Sequence, residues 1–334
     1  MAEARMGTTA GRTIIPLATR VRHSAQDSGT TLREEILAGL RATPSVIAPK
    51  YFYDALGSRL FEAITELPEY YPTRTENAIL ETHAGEIARV AGTDRTLIDL
   101  GAGNCEKAAR LFGALRPAQY AALDVSLEFL EAAVARLRPR HPSIRMLAVG
   151  TDFSARLQLP PEVASARRLF FYPGSSIGNF TPDQAVGLLA QMRALCDADG
   201  GLLIGIDLVK PTDVLEAAYD DALGVTAAFN LNVLRRANAL AGTDFDPLDW
   251  RHVALYATTE SRIEMHLEAR RALVVRWDGG ERRYAAGERI LTEYSYKYRL
   301  DTFEALLARA GFQGMRAWTD ARGWFAVCHA RAGA

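Results

Sequence analysis

Residues 97–112 read LIDLGAGNCEKAARLF. An apolar run comes first, then a turn carrying Gly101 and Gly103, then apolar residues at helical spacing (Ala108, Leu111, Phe112). This order predicts strand, tight turn and helix, an arrangement in which a ligand can approach bare backbone. Gly-x-Gly alone is weak evidence for any one ligand. A dinucleotide fingerprint has its third glycine three residues after the second, where the helix N-terminus receives a pyrophosphate. Here that position is Glu106. A carboxylate there repels phosphate, whereas S-adenosylmethionine, with an adenosine, an amino-acid tail and a sulfonium, carries no phosphate. The plainer alternative is that Glu106 faces water and favours the helix N-terminus. Cys105, inside the turn, reads as a small residue that fits a tight bend rather than a reactive thiol.

Working outward, strand-like and helix-like stretches alternate. QYAALDVS, IRMLAVGTDF, RRLFFYPGSSIGNF and LLIGIDLV read as further strands, and LEFLEAAVARLRP and TPDQAVGLLAQMRALCDADGG as helices. Thr181 is placed to cap the second of these, Pro182 suits its first turn, and Gly200 and Gly201 would end it. Continuous apolar strands between helices specify an α/β fold with a parallel sheet covered on both faces. Asp124 closes the second strand 21 residues after Gly103, the spacing of a carboxylate that accepts ribose hydroxyls. Asp152 and Phe153 close the third, where a carboxylate can accept an adenine amine and a ring can pack on the base. Lys107 could reach a cofactor carboxylate, or be a surface charge.

The alternation stops near Lys210-Pro211. A long helix-like run, DVLEAAYDDALGVTAAFNLNVLRRANAL, is followed by strand-like pieces up to TEYSYKY. TFEALLARAGF then reads as a helix, and the last runs as a hairpin closing the sheet edge. The expected organisation is a cofactor domain of residues 75–210 and 300–334, a substrate domain of residues 31–74 and 211–299, and a disordered arm over residues 1–30. A cleft between the two domains is the natural site.

Composition limits the partners. The 334 residues are 49% hydrophobic and 24% charged, with 39 basic against 40 acidic side chains and a net charge of −1. No global field favours nucleic acid or an anionic membrane, and no basic stripe interleaves with aromatics. Three cysteines are too few and too scattered for a disulfide framework or a zinc site. Residues 1–30 contain no long apolar run, so neither a secretory signal nor a membrane anchor is expected, and the cytoplasm is the expected compartment.

The blocks YFYDALGSRLFEAITELPEYYPTRTE, LIDLGAGNCEKAARLF, GSSIGNFTP, YDDALGVTAAFNLNVL, IEMHLEA and TEYSYKY together resemble the histidine-specific Nα-methyltransferases of ergothioneine biosynthesis, from about residue 30 to the C-terminus. The resemblance implies a class I, Rossmann-like S-adenosylmethionine-dependent methyltransferase with an added histidine-binding domain, acting as a monomer without a metal. It implies stepwise conversion of L-histidine to Nα,Nα,Nα-trimethylhistidine (hercynine). Carried over by position, Asn179 and Tyr219 would hold the substrate carboxylate, Tyr70 would line the imidazole, and Glu293 and Ser295 would recognise its ring, with Tyr294 between them. Tyr53 and Phe61 would lie near the amine and Met265 in the pocket wall. Tyr53, Asn179 and Tyr219 form the candidate catalytic set. On the cofactor side the resemblance points to Gly101, Lys107, Asp124, Asp152 and Phe153, with Gly103 in the same turn.

The assignments are chemically coherent. Glu293 and Ser295, two apart in a strand, share a face. A carboxylate accepts an imidazole N–H, and a hydroxyl donates or accepts at the same ring. Read without the resemblance, Asn179 is a turn residue, the aromatics are core, and Glu293 could pair with a nearby cation. Two rival functions remain at this stage: Nα-methylation of another amino acid such as tryptophan, and a non-catalytic S-adenosylmethionine- or amino-acid-binding protein.

Overall fold

The computed structural model describes residues 20–22, 29–154 and 156–333. The glycine turn leaves the central sheet, whose eight strands are β1 (Arg20–Arg22), β3 (Thr96–Leu100), β4 (Gln119–Asp124), β5 (Arg145–Gly150), β6 (Arg168–Tyr172), β7 (Gly201–Asp207), β13 (Phe312–Thr319) and β14 (Phe325–Ala332). Their order is β1-β5-β4-β3-β6-β7-β14-β13. The first six in that order pair in parallel, and β14 and β13 run antiparallel as the terminal hairpin.

Alternation along β3, β6 and β7, which are buried throughout, divides their side chains between two layers. Ile98, Phe170 and Ile204 pack under α6 (Pro182–Ala194) and α9 (Leu300–Arg309) with Leu188 and Phe303. Leu97, Phe171 and Leu203 pack under α3 (Tyr71–Ala91), α4 (Glu106–Leu115) and α5 (Leu127–Leu137) with Leu80, Leu111 and Leu130. Each such side chain contributes roughly 1.5–3 kcal/mol through burial. Thr181 forms a capping box with Gln184 at the start of α6. That helix stops at Ala194, earlier than Gly200-Gly201, because the backbone turns over Asp197–Gly200. The GSSIGNF stretch is likewise not strand: β6 ends at Tyr172, and Ser176–Asn179 form a single 3-10 turn.

A second core gathers the N-terminal region and the chain after Lys210. It contains α1 (Gly29–Arg41), α2 (Ala55–Thr65), α7 (Thr212–Ala217) and α8 (Val225–Ala241). Its sheet is β2 (Ser45–Val46), β12 (Arg289–Tyr296), β9 (Arg262–Ala269) and β8 (Trp250–Ala257), in the order β2-β12-β9-β8. The hairpin β10 (Leu273–Trp277) and β11 (Gly280–Tyr284) stands beside it. The long helix-like run after Lys210 breaks into α7 and α8, because the Asp221 carboxylate accepts the N–H groups of Val225 and Thr226 at 2.9 and 2.7 Å and starts a new helix.

Two boundaries differ from the sequence reading. The helix α3 runs across residue 75 without interruption. Arg20–Arg22 add a parallel strand to the sheet edge at β5, and Gly29 and Thr30 open α1, so these parts of the N-terminal arm are ordered; residues 1–19 and 23–28 lie outside the described residues.

Candidate active site

The glycine turn sits at the carboxyl end of β3. Gly101 and Gly103 have φ of +67° and +53°, a region that disfavours a side chain, and a Cβ at either would meet nothing within 4 Å. The turn is therefore both left-handed and open to a ligand. Beside it, Gly103 N–H donates to Asp124 Oδ2 at 3.0 Å and Ser126 N–H to Oδ1 at 2.9 Å. Burial raises the Asp124 pKa against these two hydrogen bonds. Asp152, one strand further, accepts from Ser154 N–H at 2.9 Å and from the Lys50 ammonium at 3.0 Å. Burial pushes its pKa up, but Ser154 and Lys50 together hold it below the usual value. Phe153 stands edge-on to Tyr172, with ring centroids 6.0 Å apart.

Lys107 donates at 2.6 Å to Glu76, a fully buried carboxylate on α3 that also accepts the Gly174 N–H at 2.9 Å. The cation is thus fixed between the turn and the loop after β6. Glu106 turns away: it is half-exposed and lies 3.5 Å from Arg140. The water-facing reading of that residue holds, and its charge does not line the turn. Cys105 is buried with φ +64°, and burial pushes its thiol pKa up to about 12, as befits an inert packing residue. An open turn, a carboxylate at each of the next two strand ends and a fixed cation match the adenosyl and amino-acid parts of S-adenosylmethionine. Among the described residues no group of His, Cys, Asp and Glu is arranged to hold a metal ion.

A cavity lies where the second core meets the loop after β6. Tyr53, Phe61 and Tyr70 wall it on the N-terminal side, joined by Phe229 of α8. Their rings meet in a chain: Tyr53–Phe61 5.8 Å, Phe61–Phe229 6.0 Å, Phe61–Tyr70 6.1 Å and Tyr70–Tyr219 6.3 Å between centroids. Asn179 enters from the 3-10 turn, which presses on β12 so closely that a Cβ on Gly178 would lie 2.9 Å from the Tyr296 carbonyl oxygen. Met265, Glu293 and Ser295 close the far wall. Met265 faces Glu293 in the β9–β12 register, and a one-residue bulge at Thr292 sets the phase of the strand.

Glu293 is 9% exposed and has no hydrogen-bond or ion-pair partner among the described residues. Burial pushes its pKa up to about 7, with Lys297 acting the other way. A buried carboxylate left unpaired by its own protein points to a ligand. Burial likewise raises the pKa values of Tyr53, Tyr70 and Tyr219, so all three stay neutral hydroxyls.

The structure thus brings Tyr53, Phe61, Tyr70, Asn179, Tyr219, Met265, Glu293 and Ser295 around one cavity. The side chain of Tyr294 is the exception. Strand alternation turns it to the opposite face, where Arg262 stacks at 3.7 Å from its ring centroid, so it cannot touch the ligand.

Behind the wall lies a group that sequence reading passed over. Lys297 forms an ion pair with Asp207 Oδ2 at 2.9 Å and donates to Ser295 Oγ at 2.8 Å and Tyr219 Oη at 3.1 Å. Asp207 also accepts from Tyr71 and from Lys210. Period two in TEYSYKY places Lys297 on the face of Glu293 and Ser295, a signal that was available. Glu76 gave none, because its partners lie 31 and 98 residues away. Ser126, whose hydroxyl donates to the Tyr53 carbonyl at 2.9 Å, was equally hidden.

Residues 32–332 match the family described as histidine-specific methyltransferase, SAM-dependent. The chain is 44% identical to the histidine N-alpha-methyltransferase of Mycolicibacterium smegmatis, over 91% of this chain and 96% of that one. It is 40% identical to the protein of the same name from Mycobacterium tuberculosis, again over 91% and 96%. It is 34% identical to ergothioneine biosynthesis protein 1 of Neurospora crassa over 84% of this chain, which is 32% of that longer protein.

Proposed function

Because the chain belongs to the S-adenosylmethionine-dependent, histidine-specific methyltransferase family, we propose that it trimethylates the α-amine of L-histidine to give hercynine, the first step of ergothioneine biosynthesis. The observation that carries this reading is Glu293, a buried carboxylate without a protein partner among the described residues, in a cavity that it shares with Asn179, Ser295 and a cluster of aromatic rings. It accepts a ring N–H, and Ser295 two residues on meets the other ring nitrogen. Asn179 and Tyr219 hold the substrate carboxylate, which leaves the amine directed at the Tyr53 and Phe61 end of the cavity. Gly101, Gly103, Asp124, Asp152 and Phe153 bind the nucleoside, and Lys107 its amino-acid tail.

When bound, S-adenosylmethionine supplies the methyl group and a sulfonium charge that disfavours an ammonium beside it. The protein contributes chiefly by positioning, because holding both partners in contact geometry removes much of the entropic barrier to an in-line transfer. Tyr53 stays a neutral hydroxyl and does not act as a strong base, so it can only relay a proton to water. Each transfer replaces an N–H by a methyl, and the final product is a quaternary cation. The faces of Tyr53, Phe61, Tyr70 and Phe229 attract such a cation without requiring hydrogen bonds from it, which suits repeated transfer. The reading extends to a monomeric protein of the cytoplasm; its three cysteines are unpaired, and no helix of the described residues is long and apolar enough to cross a membrane.

The test is incubation with S-adenosylmethionine and L-histidine, followed by mass and NMR analysis of the product. Three methyl groups on the α-nitrogen are expected. Methylation of a ring nitrogen, or unconsumed histidine, would overturn the proposal.

A further inference from the structure

The Lys297 side chain is 0% exposed, and that of Asp207, which it meets at 2.9 Å, is 1% exposed. Its ammonium donates to the Ser295 and Tyr219 hydroxyls and forms an ion pair with the Asp207 carboxylate. The hydroxyls of Ser295 and Tyr219 also lie 2.7 Å from one another. One of their two protons must therefore fill the bond between them. With Lys297 occupying a lone pair on each oxygen, a single O–H remains to be aimed at a ligand.

We propose that Lys297, which does not touch the ligand, is a positioning residue for acceptor recognition: it fixes the directions of the Ser295 and Tyr219 hydroxyls and supplies a positive charge beside Glu293. The inference rests on the function proposed above and assigns it a residue beyond the cavity wall. The groups that face Glu293 are Tyr53 and Tyr70 from the N-terminal side, Tyr219 after α7, and Lys297 just past the end of β12. Behind Lys297 stand Asp207, Lys210 and Tyr71, which hydrogen-bond among themselves. Lys297 is the one cation among the groups facing the carboxylate, and it opposes the upward push of burial on Glu293.

The donors and the charge of Lys297 can be separated by substitution. Lys297→Met removes both, and Lys297→Gln keeps amide donors without the charge. With wild-type turnover of histidine established first, KM for histidine, kcat, the pH profile of kcat/KM and the affinity for S-adenosylhomocysteine are measured for each variant. In Lys297→Met, KM should rise about tenfold, because the Ser295 and Tyr219 hydroxyls lose the charged donor that orients them, while kcat stays within about threefold. In Lys297→Gln, KM should recover to within about threefold of wild type. In both variants the acidic limb of kcat/KM should move to higher pH by about one unit, because Glu293 loses the cation that opposes its burial. S-adenosylhomocysteine affinity should be unchanged, which marks a folded cofactor site. Two results would overturn the inference: variants that bind S-adenosylhomocysteine but keep the wild-type KM and acidic limb, or loss of S-adenosylhomocysteine binding in both, which would make Lys297 purely structural. If the wild type does not methylate histidine at all, the function proposed above fails first, and the two failures are told apart.

Discussion

The two ends of the site treat their polar groups in opposite ways. At the cofactor end the charged groups already have partners within the protein: Asp124 is held by two backbone N–H groups, Asp152 by Ser154 and Lys50, and Lys107 by Glu76. At the acceptor end Glu293 has no partner among the described residues, and burial has pushed its pKa to about 7. The first end is a scaffold set before any ligand arrives. The second leaves a buried carboxylate unpaired; under the proposed function the substrate completes it, and specificity would arise there because a wrong ligand leaves a buried group unpaired.

This contrast can be broken by substitution. The largest effect is expected for Glu293→Ala, which should lower kcat/KM for histidine by on the order of a hundredfold or more while S-adenosylhomocysteine affinity stays within about twofold. Unchanged histidine kinetics would remove the acceptor assignment. Asp124→Ala should do the reverse: S-adenosylhomocysteine affinity falls roughly ten- to a hundredfold by calorimetry, and the KM for histidine moves little. A variant that damaged both ends equally would erase the distinction between them.

A smaller effect concerns stability. Because the folded-state pKa of Glu293 is raised from 4.5 to about 7, the folded protein binds the extra proton between those values, and stability from this group falls as pH rises through that window. Glu293→Gln removes that loss. Its Tm should exceed that of the wild type by a few degrees at pH 8, and the difference should vanish near pH 4. An equal Tm at pH 8 would mean that the carboxylate is not desolvated. Smallest of all, Tyr294→Ala should leave the KM for histidine within about twofold, since its ring stacks under Arg262 on the other face of β12; a large rise would place that side chain in the pocket after all.

Strand alternation and the glycine turn made most of the cofactor end legible, because strand, turn and carboxylate follow one another at short, regular spacing. The acceptor end was legible in its residue types, but only resemblance pointed to Tyr53, Phe61 and Tyr70, which by themselves read as core aromatics. What stayed hidden shares one physical cause. Glu76 reaches Lys107 and Gly174 from a helix distant in sequence, and the Ser126 hydroxyl reaches the Tyr53 carbonyl across 73 residues. No local period records such pairings. Lys297 is different, since the alternation that places Glu293 and Ser295 on one face places it there too. Glu106 shows the converse: a charge at a suggestive position in the turn faces solvent beside Arg140.

The most direct measurement is mass spectrometry of the protein incubated with S-adenosylmethionine and an equimolar mixture of the twenty amino acids. A gain of three methyl groups on histidine, with the other nineteen unchanged, is the predicted result. Methylation of tryptophan or any other amino acid in preference to histidine would contradict the claim that the unpaired Glu293 wall selects the substrate.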